Sequence, residues 1–235
     1  MITSLTNEKV KNWAKLNNKK YRDETNSFLI EGEHLVIEAK NHGIIKEIIT
    51  TEPTIDGTLV SVDVMKKITN QVSPVKVCAI CEKMNKNALT NNVLVLDSVQ
   101  DPGNVGALIR SAIAFGFNTI IMSNSCDVYS SKVLRATQGG IFKINIIDMD
   151  TIDAIKMLKE KNYVVYGTSL VNGVELSNVK KEPKMAIILG NEGLGVSKEA
   201  LKLTDKNIFV EIKNIESLNV AIAGSIIMYK FKEVV

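Results

Sequence analysis

The sequence predicts an α/β protein in which a small α/β domain precedes a larger domain built on a parallel β-sheet. From residue 93 onward, continuous apolar runs alternate with segments of helical periodicity, a pattern typical of parallel strands that helices cover on both faces. Before them, the polar stretch EKMNKNALTNN at 82–92 lacks a sustained apolar period and follows an earlier group of shorter elements. We therefore predict domains at 1–85 and 93–235, joined by a linker at 86–92.

The elements of the first domain follow from local periodicity. Val10, Trp13 and Ala14 recur at helical spacing and predict a first helix. His42 and Gly43 are expected to end a later helix. The other predicted elements are a strand at 28–30, this later helix over 33–41, and strands at 44–50, 59–62 and 75–80.

The second domain is predicted to alternate strands and helices along its whole length. Its predicted strands are 93–96, 119–122, 164–167, 186–189 and 208–212, and its predicted helices are 105–115, 151–161, a short helix after Ser197, and 220–229. In open parallel sheets, ligands bind beyond the carboxyl ends of the strands. A site is therefore expected in the loops that follow residues 96, 167, 189 and 212.

The composition is that of a globular protein with one sizeable core. The chain has 235 residues, is 45% hydrophobic and carries a formal net charge of +3. It has no basic and apolar leader and no uninterrupted apolar segment of about 18 residues, so we expect neither secretion nor a membrane span. The expected location is the cytoplasm.

The cysteines do not describe a disulfide framework or a metal site. Three cysteines are an odd and sparse set. Cys78 and Cys81 have metal spacing, but they lie on a predicted strand that directs the two thiols to opposite faces. His34 and His42 have no companion at ligand spacing. We expect reduced thiols and no metal.

The first 22 residues form a basic segment. They carry six basic residues against one acidic residue, with Trp13 and Tyr21 among them. Such a segment can contact a phosphate backbone and stack on bases, or it can be a solvated helix face. The candidate RNA-binding residues are Lys15, Lys19, Lys20 and Arg22.

Three polar loops in the second domain carry the candidate chemistry. The first is DPGNVGALIR at 101–110, the second is LGNEGLGVSKEA at 189–200, and the third is NIESLNVAIAG at 214–224. Helix capping explains any one of them singly. The second loop lacks the Gly-Lys-Ser/Thr of a phosphate loop and the spacing of a dinucleotide fingerprint, so a nucleoside-bearing ligand without a nucleotide phosphate fits it better.

In this order, and each after a predicted strand, the three loops resemble the motifs of the SpoU (TrmH-like) RNA 2′-O-methyltransferases of the SPOUT superfamily. FLIEGEHLVIEA at 28–39 looks like part of the L30e-like RNA-binding domain of ribosomal RNA members, and VLRATQGGIF at 133–142 is similar to a segment between the first two motifs. The resemblance implies a SPOUT domain with a C-terminal trefoil knot, an exception to the rule against knots.

The resemblance also implies a methyl donor, S-adenosylmethionine, and a homodimer with the apolar helix over 220–229 as a candidate interface. Its implied catalytic residues are Asn104, Arg110, Glu192 and Asn219. Its implied cofactor-binding residues are Gly167, Thr168, Leu189, Gly190, Val210, Ile212, Ser217 and Leu218. The implied substrate is 23S ribosomal RNA. The alternatives are a transfer RNA 2′-O-methyltransferase and a non-catalytic RNA-binding ribosome-assembly factor.

Two features of the motifs need separate interpretation. Family proposals give Arg110 a proton-accepting role, but a guanidinium is a poor proton acceptor, so we favour a charge clamp on the phosphate beside the target ribose. The sequence VEIKNIESLN also departs from the family pattern, with Glu211 at a position where members usually have Pro and with one residue fewer. The cofactor loop is therefore expected to differ in shape.

Overall fold

The computed structural model describes residues 1–71, 73, 75–84 and 88–232. The chain divides into two compact units. The first unit comprises residues 1–84 and 127–142, and the second comprises 85–126 and 143–235. The segment 127–142, which the sequence places in the second domain, thus groups with the first unit. Of the predicted linker, residues 86 and 87 lie outside the described residues, and Asn92 already belongs to a strand.

The first unit is a four-stranded sheet with helices around it. Its strands are β1 (Ser27–Glu31), β2 (Ile45–Thr50), β3 (Thr58–Leu59) and β4 (Val77–Glu82). Its helices are α1 (Glu8–Lys15), α2 (Lys19–Thr25), α3 (Glu33–Asn41), α4 (Val62–Thr69) and, from the returning segment, α6 (Ser131–Thr137). The strand order is β1-β4-β2-β3, with β4 antiparallel to β1 and β2 and with β3 parallel to β2.

Local chemistry explains where these elements begin. The Asn7 side chain accepts a hydrogen bond from the Lys9 N–H and caps α1, whose Val10 and Trp13 pack into the core. The predicted strand over 59–62 is wrong in its second half, because the Ser61 hydroxyl accepts a hydrogen bond from the Val64 N–H and starts α4. The helix α2 was not predicted.

The second unit is a seven-stranded parallel sheet. Its strands are β5 (Asn92–Asp97), β6 (Thr119–Ser123), β7 (Asn145–Asp148), β8 (Val164–Thr168), β9 (Gly173–Glu175), β10 (Met185–Gly190) and β11 (Lys206–Phe209). Its helices are α5 (Pro102–Ala114), α7 (Thr151–Glu160), α8 (Lys198–Leu203) and α9 (Val220–Lys230). The order is β7-β6-β5-β10-β8-β11-β9, and every neighbouring pair is parallel. The predicted parallel sheet is confirmed.

The last strand is shorter than the sequence predicts. The strand β11 pairs with β8 only as far as Ile208 and with the short strand β9 as far as Phe209, and its ladder ends there. Val210, Glu211 and Ile212 therefore lie beyond the strand, although the sequence assigns them to it. The strands β7 and β9 and the helix α6 were not predicted.

The structure also bears on the cysteines and on membrane insertion. Cys78 and Cys81 are buried on β4, and burial raises the pKa of the Cys81 thiol to about 12. Across the described ranges, no three His, Cys, Asp or Glu side chains gather as a metal site would require. None of the helices built from those residues has the length and apolar character needed to span a bilayer.

Candidate active site

A glycine loop, residues 190–197, follows β10 at the carboxyl edge of the parallel sheet. Backbone hydrogen bonds between Asn191 and Gly195, at 3.0 and 2.9 Å, close it into a tight turn. Position 190 has no room for a side chain, since a Cβ on Gly190 would lie 2.0 Å from the carbonyl carbon of Gly195. Gly195 has a φ of +71°, a conformation that favours glycine. The glycines therefore shape this loop.

The loop presents the Glu192 carboxylate to the start of α5. Its Oε1 accepts hydrogen bonds from the Asp101 N–H and from the Asn104 side-chain amide, both at 3.0 Å. Its Oε2 accepts one from the Gln100 N–H at 3.2 Å. Partial burial alone would raise the pKa of Glu192, but these hydrogen bonds prevail and lower it. The carboxylate is thus held ionised and fixed in direction.

Two asparagines extend this network to the final helix. The Asn219 side-chain amide donates to Asn104 Oδ1 at 2.9 Å. Asn219 Oδ1 accepts from the N–H groups of Ala221 and Ile222 at 2.8 and 3.2 Å and caps α9. Three of the four predicted catalytic residues, Asn104, Glu192 and Asn219, are therefore joined in one hydrogen-bonded chain.

Arg110 is not part of that hydrogen-bonded network. It is exposed on α5, and it makes no hydrogen bond or ion pair with any residue that the structure describes. It lies six positions after Asn104, which places the two side chains roughly 120° apart around the helix. Asn104 therefore makes no direct contact with Arg110. The Arg110 guanidinium is available to a ligand.

A cavity of about 360 Å³ opens beside the glycine loop. Its walls come from three segments that follow β8, β10 and β11, which is where the sequence predicts a site. The predicted cofactor residues on its wall are Thr168, Leu189, Gly190, Val210, Ile212, Ser217 and Leu218. Glu192 of the polar chain also lines it. The cavity and the hydrogen-bonded network of Asn104, Glu192 and Asn219 are thus parts of one site.

The structure places Gly167, the remaining predicted cofactor residue, away from that wall. Gly167 is buried inside β8, and a Cβ there would lie 2.5 Å from Asn207 Oδ1 and 2.7 Å from Leu201. Packing within the unit therefore explains this glycine. Among the further wall residues that sequence reasoning missed are Ser169, Leu170, Asn191 and Glu216. Each lies beside a predicted site residue or one position further along, so the loop positions could have indicated them.

The predicted RNA-binding residues lie in the first unit, and one of them is misassigned. Arg22 is 5% exposed, donates to the Leu16 carbonyl at 2.6 Å and forms an ion pair with Asp127. The structure contradicts its prediction as an RNA contact, because its charge is compensated inside the unit. Lys15, Lys19 and Lys20 are exposed.

The aromatic part of the basic segment also differs from expectation. The Trp13 indole is buried and donates to Glu47 Oε2 at 3.1 Å, so its ring is not available to stack on a base. Tyr21 is half-buried, with the Lys15 ammonium 5.5 Å from its ring centroid. Only a part of this segment is therefore available to a ligand.

Two parts of the chain match known protein families. Residues 91–229 match the SpoU rRNA Methylase family. Residues 7–79 match the MRM3-like substrate binding domain. The first match spans the candidate active site, and the second lies within the first unit.

Individual relatives agree with these matches. The chain is 39% identical to the 23S rRNA (guanosine(2553)-2′-O)-methyltransferase RlmP of Bacillus subtilis, over 98% of both chains. It is similar to the solved structure of an AdoMet-bound rRNA methyltransferase from Sinorhizobium meliloti, with a TM-score of 0.86, 31% identity, and coverage of 97% of this chain and 95% of that one. A TrmH-family putative RNA methyltransferase from Porphyromonas gingivalis gives a TM-score of 0.84 at 28% identity, covering 97% and 98%.

The predicted α/β fold with a parallel-sheet methyltransferase domain is confirmed by these structures and by the sheet itself. The predicted enzyme class is confirmed by the family match and by the Bacillus subtilis relative, which aligns over nearly its whole length. Sequence motifs, sheet and cavity all lead to one assignment. The chain belongs to the SpoU rRNA methylase family.

Proposed function

We propose that this protein is an S-adenosylmethionine-dependent ribose 2′-O-methyltransferase that acts on 23S ribosomal RNA. The observation that carries the proposal is the hydrogen-bonded chain Asn219–Asn104–Glu192 at the rim of a cavity formed by three loops. The 39% identity to a 23S rRNA 2′-O-methyltransferase over nearly the whole chain supports this choice of RNA. An RNA substrate of this kind implies a cytoplasmic protein.

The cavity fits S-adenosylmethionine in size and lining. Its volume of about 360 Å³ lies in the range of small-molecule sites, roughly 300–1,000 Å³. Leu189, Ile212 and Leu218 offer apolar surface to an adenine ring. Thr168 and Ser217 add hydroxyl groups for the ribose or the amino acid part. A related rRNA methyltransferase from Sinorhizobium meliloti has been solved with AdoMet bound.

The residues of this chain have separate tasks in the reaction. When bound, S-adenosylmethionine supplies a methyl group that its positive sulfur has already activated. Arg110, exposed and without a partner in the described chain, clamps the phosphate beside the target ribose and lowers the pKa of the 2′-hydroxyl through its charge, so that the hydroxyl proton passes to solvent water as the methyl group is transferred. Asn104 is held at both ends of its amide and has one N–H left to orient that hydroxyl. Glu192 fixes the Asn104 amide.

We also propose that the segment after β11 is threaded as a trefoil knot, as the family resemblance implies. The support is that Val210, Ile212 and the residues 216–218 of this segment share one cavity wall with the loops after β8 and β10. In the sheet, β10 lies between β5 and β8 although it follows both in sequence. Slow refolding kinetics after complete denaturation would be consistent with threading. A refolding rate typical of an unknotted parallel sheet would argue against it.

A homodimer through α9 completes the proposal. Ile222, Ile226 and Tyr229 are 52%, 39% and 56% exposed and share one face of this helix. An exposed apolar stripe of this kind indicates a protein contact. Ile226→Glu is expected to convert a dimer to a monomer in sedimentation, while Lys156→Glu, at an exposed position on α7, leaves the dimer in place. A parent protein that sediments as a monomer would contradict this part.

The substrate proposal is tested by mapping ribose methylation. In a strain that lacks the gene, one 2′-O-methyl group is expected to disappear from 23S ribosomal RNA and to return on complementation. An Arg110→Ala copy is expected not to restore it. If the lost methyl group belongs to a transfer RNA, the choice of RNA is wrong. If no methyl group is lost and the purified protein binds no S-adenosylmethionine, the protein is a non-catalytic RNA-binding factor.

A further inference from the structure

Asn191, in the glycine loop, makes contacts that bind it to two loops at once. Its Oδ1 accepts hydrogen bonds from the N–H groups of Gly193 and Leu194 at 2.9 and 3.1 Å. Its Nδ2 donates to the Ser98 carbonyl at 3.0 Å. Backbone N–H groups only donate and a carbonyl only accepts, so these partners fix which end of the amide is which. The side chain therefore braces its own loop and bridges to the loop after β5.

The residue that it reaches is held in an unfavourable backbone conformation. Ser98 has a φ of +64°, which costs a non-glycine residue about 1–2 kcal/mol. Two residues later, the Gln100 N–H binds the Glu192 carboxylate. The neighbours Asn191 and Glu192 thus both hold the loop after β5. Asn191 binds a carbonyl of that loop, and Glu192 binds its N–H groups. Strain of this kind persists where surrounding contacts enforce it.

A third contact joins the end of the glycine loop to the last residue of β5. The buried Asp97 carboxylate accepts hydrogen bonds from the Ser197 N–H and from the Thr151 hydroxyl, both at 2.9 Å. The glycine loop is therefore tied at its end by Asp97 and near its start by Asn191. Between these ties, Glu192 lies next to Gly193 and is exposed. Packing does not restrain Glu192, so its three hydrogen bonds depend on the separation of the two loops that these ties join.

We propose that Asn191 is a positioning residue for methyl transfer, which rests on the proposed function. It sets the separation of the two loops and so holds Glu192 where its carboxylate fixes the Asn104 amide. A shift of about 1 Å in a group that orients a reactant can cost roughly 100-fold in rate. The role differs from cofactor binding, although Asn191 also lines the cavity. Loss of the bridge is expected to slow the reaction more than it weakens the binding of the cofactor.

The variant Asn191→Asp separates the two contacts of this side chain. Its carboxylate still accepts from the Gly193 and Leu194 N–H groups, but it cannot donate to the Ser98 carbonyl and repels it. Asn191→Ala removes both contacts and serves as a second variant. The matched control is Asn7→Asp, since the Asn7 side chain also accepts a hydrogen bond from a backbone N–H group but lies in the first unit.

The first measurement is steady-state methyl transfer to RNA at saturating substrates. For Asn191→Asp, kcat is expected to fall about 10- to 100-fold while KM for S-adenosylmethionine changes less than about threefold. Asn7→Asp is expected to match the parent protein. A raised KM with unchanged kcat would overturn the inference, because it would make Asn191 a cofactor contact only. Unchanged kcat in both Asn191 variants would overturn it as well.

The second measurement does not need activity. Hydrogen exchange at the Gln100 and Asp101 amides reports their bonds to Glu192, and exchange is expected to accelerate at least about tenfold in Asn191→Asp but not in Asn7→Asp. Unchanged exchange would overturn the inference whatever the kinetics show. If the parent protein itself transfers no methyl group, the proposed function fails, and the exchange rates still decide whether Asn191 positions Glu192.

Discussion

Asn219 explains why an apolar helix begins with so many polar side chains. A cap for α9 needs only an acceptor, and Asn219 Oδ1 supplies it to two N–H groups. An aspartate or a serine would do the same. The amide nitrogen of Asn219 has a second use, because it donates to Asn104 and so connects α9 to the Glu192 network. Asparagine suits this position because it has both a donor and an acceptor.

The same reasoning at the residue scale predicts the behaviour of Arg110. Arg110→Ala is expected to lower kcat roughly 100-fold or more, because a charge that stabilises the reacting hydroxyl is removed. S-adenosylmethionine affinity by calorimetry is expected to stay unchanged, since Arg110 does not line the cavity wall. Arg110→Lys keeps the charge but loses the planar fork, so it is expected to restore the rate only in part. An Arg110→Ala enzyme with the parent rate would contradict the clamp.

Glu192 leads to a prediction about pH and stability. Its pKa is lowered in the folded protein, so it contributes stability that is fully present above the ordinary carboxyl pKa of 4.5 and is lost as pH falls through the lower folded value. The free energy of unfolding of the parent protein is therefore expected to exceed that of Glu192→Gln near neutral pH. The difference should shrink below about pH 4.5. Urea unfolding of both proteins across this range measures it, and a difference that grows on acidification would have the wrong sign.

At the residue scale, the motifs indicated which distant side chains lie together, but local patterns did not indicate which side chains are buried by tertiary contact. Asn104, Glu192 and Asn219 lie more than 20 positions apart, yet the resemblance of their three loops to the family motifs grouped them, and hydrogen bonds join them in the structure. Arg22 looked like its lysine neighbours in a basic helix. Its burial depends on Asp127, 105 positions later, and no local pattern indicates that pairing.

At the scale of elements, the glycine loop contains one position where the fold requires glycine and one where a larger residue would fit. A Cβ on Gly190 would overlap the backbone of Gly195 and Val196 at 2.0 Å, whereas a Cβ on Gly193 would meet only Asn191 Oδ1 at 3.7 Å. Gly190→Ala is therefore expected to lower the free energy of unfolding by about 1–3 kcal/mol or more and to abolish cofactor binding. Gly193→Ala, the matched control, is expected to change stability by less than about 0.5 kcal/mol.

Thermal unfolding of both glycine variants, with calorimetry of S-adenosylmethionine for Gly190→Ala, measures these effects. Equal stability of the two variants would show that the loop relaxes around an added methyl group. Such relaxation would also weaken the argument that the glycine loop holds Glu192 in one position. The two variants therefore test the rigidity on which the network depends.

Elements with a strong hydrophobic pattern in the sequence were predictable, and short elements that depend on pairing with a neighbouring strand were not. The central strands β5 and β10 are continuous apolar runs that are buried along their whole length, and their positions were predicted to within about two residues. The strand β9 has only three residues and exists because β11 provides its partner. The apolar run over 208–212 continues past the strand end for another reason, since Val210 and Ile212 line the cavity.

At the scale of the whole molecule, one boundary could not be derived from sequence. Residues 127–142 return to the first unit, where Asp127 pairs with Arg22 and Arg135 binds the buried Glu31 at 2.8 Å. Burial raises the pKa of Glu31, and the Arg135 charge opposes this. The similarity of VLRATQGGIF to a family segment indicated that this stretch matters. Periodicity gave no reason to assign it to the first unit, because the helix α6 has only seven residues.

The division of labour between the two units is the remaining whole-molecule prediction. The first unit is expected to dominate RNA affinity, and the second to hold the cofactor. The support is the match of residues 7–79 to a substrate binding domain and the exposed lysines on α1 and α2. The opposing fact is that Lys19 and Lys20 each lie near an acidic side chain, Asp23 at 2.9 Å and Glu24 at 3.9 Å. Exposed pairs of this kind are weak, so a phosphate can replace the carboxylate.

Neutralising Lys15, Lys19 and Lys20 together, with Arg22 left intact to preserve the fold, tests this expectation. Removing one lysine–phosphate interaction should flatten the slope of log affinity against log salt by nearly one unit, so a reduction of about two to three units is expected, with S-adenosylmethionine affinity unchanged. The control variant neutralises three exposed lysines of the second unit, Lys156, Lys161 and Lys184, and so makes the same change in net charge. It is expected to leave the slope nearly as it was. If both triple variants bind RNA alike, the lysines of α1 and α2 form only a solvated face, and RNA recognition lies elsewhere in the molecule.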